Sequence, residues 1–86
     1  MKNIKDSEEV LSGVIKIVQN VIKGVNIDKS SSQKNVAQWD SLAYMAIVSE
    51  LEAQYGIEIT QTNIASFSSV ESIYNLVIEQ NKYDKN

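Results

Sequence analysis

Apolar residues recur at helical intervals in three stretches of the chain, and polar segments separate them. Val10, Leu11, Val14, Ile15, Val18, Val21 and Ile22 fall three and four apart, which predicts a first helix and argues against the alternation of a strand. Asp6 or Ser7 supplies its N-cap, and Glu8 and Glu9 place carboxylates in its first turn, at the positive end of the dipole. Gly24 is the expected stop. A second helix opens with Asp40 as N-cap and runs to Tyr55, where Gly56 ends it, with Tyr44, Ile47, Val48, Leu51 and Tyr55 forming the core stripe. A last helix, capped by Ser68 or Ser69, carries Val70, Ile73, Tyr74, Val77 and Ile78 on one side.

Two segments lack such periodicity. Val25 to Gln38 reads as a long loop rich in Asn, Asp, Ser, Lys and Gln, pinned by Ile27 and Val36. After Gly56, Thr60 is expected to cap a short helix through Ile64, too short to form without packing. The sum is an all-α bundle of three longer helices plus one short helix. Residues 1–86 read as one domain, ordered over about 6–80 and fraying from Asn81 to Asn86.

Composition narrows the function. The chain contains no histidine and no cysteine, which removes the side chain best suited to proton transfer near neutral pH, disulfides and thiolate metal sites. An autonomous enzyme is not expected, nor a metal centre. All eight basic residues are lysines, so the bidentate arginine fork used on guanine edges and phosphates is missing and nucleic-acid binding is disfavoured. The apolar runs are far too short to span a membrane, and no secretory signal is evident, so the expected setting is the cytoplasm and the expected state a monomer. Between Lys34 and Lys82 lie Asp40, Glu50, Glu52, Glu58, Glu71 and Glu79 with no basic residue, a bias that reads either as a solvated surface or as a face for basic partners.

The informative segment is Trp39-Asp40-Ser41-Leu42. Helical periodicity sets Ser41 in a first turn, off the core stripe, with Leu42 and Ala46 on the opposite side and Met45 on its flank. A serine after an Asp cap is ordinary in itself, and an exposed leucine is common. A helix N-terminus nevertheless favours an anionic group such as a phosphodiester. Trp39 either closes the end of the bundle or flanks the serine.

Asp40-Ser41-Leu42 resembles the signature of the acyl and peptidyl carrier protein family, stand-alone type. The resemblance continues through the helix to Tyr55, the Tyr55-Gly56-Ile57-Glu58-Ile59 exit, and Thr60 to Val70. It implies an acyl-carrier-protein-like four-helix bundle that bears 4′-phosphopantetheine, covalently attached to Ser41 from coenzyme A by a phosphopantetheinyl transferase. Asp40 would then cap the helix and aid transferase recognition. Leu42, Met45, Glu50 and Glu52 would contact partner enzymes: the transferase, an acyl- or aminoacyl-loading ligase, and downstream synthases or transferases. The implied function is to hold acyl or aminoacyl intermediates as thioesters for those enzymes. The alternative is an unmodified helical protein-interaction domain that keeps this fold. The sequence departs from the fatty-acid type in having Gln38-Trp39 before the motif and Ala43 and Ala46 where that type often has acids.

Overall fold

In a computed structural model, which describes the backbone over residues 7–84 and side-chain burial over 7–80, the elements are α1 (Ser7–Val21), α2 (Ser41–Tyr55), a 3₁₀ helix (Ile64–Ser68) and α3 (Val70–Asp84). No strand occurs among the described residues; one isolated antiparallel bridge joins Ser32 to Ser69. α1 packs against α3 and α2, and the 3₁₀ helix lies between α2 and α3. The expected all-α bundle is therefore what forms.

The core follows the apolar stripes. Val10, Val14 and Val18 of α1 are buried, as are Ile47, Val48 and Leu51 of α2 and Val70, Ile73 and Val77 of α3. The outer members of each stripe, including Leu11, Ile15, Tyr44, Tyr55, Tyr74 and Ile78, pack half-buried against them. Burial of such side chains stabilises by roughly 1.5–3 kcal/mol each before the entropy cost of ordering them. Three core residues are absent from the expected stripes: Ile17 on α1, Ile57 just after α2, and Phe67, the chain's only phenylalanine, fully buried from the 3₁₀ helix.

Helix ends are set by local chemistry. The Asp40 carboxylate accepts from the Ala43 N–H (3.0 Å), and the Asp40 carbonyl from the Tyr44 N–H (2.8 Å). Gly56 closes α2 at φ 65°, with its N–H donating to Glu52 O, a left-handed C-cap that any side chain would strain. Ser69, rather than Ser68, caps α3: its Oγ accepts from the Ser72 N–H at 3.1 Å. For α1, Ser7 is the first helical residue, and Asp6 lies outside the described residues. α1 ends at Val21, with the Ile22 N–H still bonded to Val18 O, so Gly24 (φ 85°) turns the chain just after the helix and not within it.

One expectation changes. The short helix lies at Ile64–Ser68 instead of Thr60–Ile64, because the Asn63 side chain captures the preceding residues in a turn. Its Oδ1 accepts from Thr60 N–H (2.8 Å), and its Nδ2 donates to Glu58 O (2.9 Å). Side-chain bonds of this kind compete with helix formation. α3 runs to Asp84, and Lys85 and Asn86 lie outside the described residues.

The long loop between α1 and α2 is held by polar side chains as well as by buried apolar ones. Gln19 reaches out of α1 to donate to Ile22 O and Val25 O, and it accepts from Ile27 N–H. Asp28 and Asn35 close successive turns around Ser30, Ser31 and Ser32. Ile27 and Val36, the two expected pins, are both buried.

Candidate attachment site at the start of the second helix

The loop delivers the chain to Trp39, whose indole is only 2% exposed. The ring thus closes the end of the bundle, the first of its two expected roles. Its Nε1–H is buried with no hydrogen-bond partner among the described residues. Immediately afterwards the chain emerges: Asp40, Ser41 and Leu42 are all exposed. The buried tryptophan and the Asp40 cap together determine where α2 begins, and they leave Ser41 as its first helical residue.

This position suits a phosphate ester. The first N–H groups of a helix lack intrahelical acceptors, and Asp40 satisfies the one on Ala43, leaving those of Ser41 and Leu42 at the positive end of a 15-residue dipole. Ser41 is itself exposed. No imidazole exists in the chain to activate it, so the hydroxyl depends on an external enzyme for any acylation or phosphorylation. The residues present therefore fit a covalent phosphodiester.

The apolar residues beside Ser41 are unusually open, Leu42 at 81% and Met45 at 61% exposure. Glu50 and Glu52 are exposed as well. At about 100° per residue, Ser41, Met45 and Glu52 lie within roughly 40° of one another around α2, with Leu42 next to them. Glu50 lies about 140° from Met45, on the other flank of the helix. The fold thus brings together Ser41, Leu42 and Met45 at the start of α2, with Glu52 on the same side but about 16 Å further along the helix and Glu50 on the other flank.

A third open apolar residue, Ile64 (49% exposed), escapes the sequence reading. The Tyr44 hydroxyl donates to the Ile64 carbonyl, so Ile64 sits beside the first turns of α2. The Tyr44 ring stands edge-on to Phe67, with centroids 6.4 Å apart and planes at 83°. Burial pushes the Tyr44 hydroxyl above its ordinary pKa, which keeps it a donor. A 3₁₀ helix of five residues has too few positions for periodicity to show which one faces out.

Comparison with known proteins agrees with this geometry. Residues 38–77 match the family model described as the phosphopantetheine attachment site. The fold is similar to the solution NMR structure of a holo acyl carrier protein from Geobacter metallireducens, with a TM-score of 0.70 over 90% of this chain and 93% of that one, at 21% identity. Among curated proteins, none matches the chain. The matched residues take in Asp40, Ser41, the whole of α2, the 3₁₀ helix and half of α3, so the likeness to a phosphopantetheine attachment site covers the exposed serine and the helix that presents it, on a fold similar to that of an acyl carrier protein.

Proposed function

We propose that this chain, acting as one helical carrier unit and a cytoplasmic monomer, tethers acyl or aminoacyl intermediates through 4′-phosphopantetheine on Ser41. The observation that carries the reading is the exposure of Ser41 at the capped N-terminus of α2, inside the matched residues and beside the open Leu42 and Met45. When bound, the group supplies a thiol that holds the cargo as a thioester. The chain supplies address and anchorage. Asp40 holds the first turn so that the Ser41 hydroxyl is presented in one orientation. Leu42 and Met45 offer apolar contact to the phosphopantetheinyl transferase, the loading ligase and the downstream synthase or transferase. Glu52, with Glu50 on the far flank, adds charge that steers basic partner surfaces.

The reading is tested by intact mass after incubating the chain with coenzyme A, magnesium and a broad-specificity phosphopantetheinyl transferase. Wild type is expected to gain one phosphopantetheine unit and Ser41→Ala none, with unchanged circular dichroism. Gain on Ser41→Ala would move the attachment point. No gain on folded wild type would favour an unmodified interaction domain.

A further inference from the structure

The 3₁₀ helix is fastened at both ends to the segment that presents Ser41. At its start, the Ile64 carbonyl accepts from the Tyr44 hydroxyl, three residues along α2 from Ser41. At its end, the Ser68 carbonyl accepts from the Gln33 backbone N–H at 2.9 Å, while the Val70 N–H returns a bond to Ser31 O at 3.0 Å. The Gln33 side chain then continues the path, with Nε2 donating to the Trp39 carbonyl at 3.2 Å, immediately before Asp40. A closed circuit results: α2 to Ile64 through Tyr44, along the 3₁₀ helix to Ser68, and back through Gln33 to the residue that precedes the cap of α2.

Five residues of 3₁₀ helix do not hold their own position, because the hydrogen-bond geometry is poor and the segment short. Phe67 anchors the middle of the segment in the core, but a single buried ring leaves rotation about it open. The polar fastenings at Ile64 and Ser68 remove that freedom. The first ends on Tyr44, three residues past Ser41, and the second on the Gln33 backbone, which the Gln33 side chain ties to the Trp39 carbonyl two residues before Ser41.

We infer that Tyr44 and Gln33 are positioning residues, which clamp the 3₁₀ helix to the start of α2 so that an enzyme modifying Ser41 meets Ser41 and the exposed Ile64 as one rigid surface. The inference rests on the reading of Ser41 as the attachment point. Loosening either fastening leaves the hydroxyl chemically intact and disperses the surface around it. The loss therefore falls on recognition and spares the chemical step.

Tyr44→Phe keeps the ring against Phe67 and deletes only the donor; Gln33→Glu keeps the size and deletes the Nε2–H donor. Hydrogen exchange is read at the Ser66 amide, bonded to Asn63 O within the 3₁₀ segment, and at the bridge amides of Gln33 and Val70. In each variant these exchange about two- to tenfold faster than in wild type, the range set by one hydrogen bond. In the loading assay with coenzyme A and the transferase, KM for each variant rises by a similar factor at unchanged kcat. Unchanged exchange in both variants overturns the clamp. Faster exchange with wild-type KM overturns its role in recognition. Absence of loading on wild type overturns the attachment reading instead, and exchange then decides the clamp alone.

Discussion

α1 and α2 are both fifteen residues long, yet they treat their apolar residues differently. In α1 every large apolar side chain is buried or half-buried against the core, and Ser12, Lys16 and Asn20 face outward. In α2 Ile47, Val48 and Leu51 fill the core as well as their counterparts do, but Leu42 and Met45 stand in solvent beside Ser41. One exposed apolar residue is ordinary, but here two stand in adjacent turns beside the exposed Ser41, where neither adds to the core. α1 is shaped by folding alone. α2 is shaped by folding on one side, and on the other it carries the open apolar residues to which the proposed function assigns contact with partner enzymes.

The sharpest way to separate the two sides of α2 is to substitute on each. Leu51→Ala removes a fully buried side chain and is expected to cost about 3 kcal/mol in chemical denaturation. Met45→Glu should change stability by less than about 0.5 kcal/mol while weakening loading by the transferase. Equal losses of stability would place Met45 in the structural half of the helix and dissolve the contrast.

The seam between the two helices offers a second probe. Gly13 of α1 lies directly under the Tyr55 hydroxyl of α2, where an added Cβ would overlap the hydroxyl oxygen. In wild type, Gly13→Ala is expected to destabilise by about 1 kcal/mol as the phenol is displaced. In a Tyr55→Phe background the same change should stabilise by about 0.5–1 kcal/mol, because alanine favours the helix once the overlap is gone. The reversal of sign in thermal melts is the measurement. The same sign in both backgrounds would show that the seam is not set by this contact.

A smaller effect is expected from alkaline titration. Burial first, and the nearby Glu9 carboxylate second, push the Tyr55 hydroxyl above its ordinary pKa near 10.0. The folded state therefore holds this proton more tightly than the unfolded chain. Its contribution is intact below the unfolded pKa and is lost as pH rises through the folded one, so stability should decline above about pH 10. Urea midpoints across that range should fall less steeply in Tyr55→Phe. A parallel decline would assign the effect to other groups.

Much of this molecule was legible from local rules. Asp40 at the N-cap and Gly56 at the left-handed C-cap bound α2 at both ends because their chemistry acts within a few residues. Ser41, Leu42 and Met45 were legible for the same reason, since helical spacing places them relative to Ile47, Val48 and Leu51. The 3₁₀ helix was not, because Asn63 diverts the turn before it and five residues carry no period. Ile17 follows Val14 by three residues and Val10 by seven, so its burial belongs to the same stripe of α1 and the same spacing accounts for it.

Helix boundaries, core stripes and the exposed serine depend on interactions a few residues long, and so the order of amino acids was sufficient to specify them. The burial of Trp39 and Phe67, the seat of Tyr55 on Gly13, and the fastening of Ile64 and Ser68 to the approach and first turns of α2 join residues about 6 to 42 positions apart. Such contacts exist only once the helices have packed. Long-range hydrogen bonds and ring contacts are selected by which surfaces meet, and no local periodicity encodes that meeting.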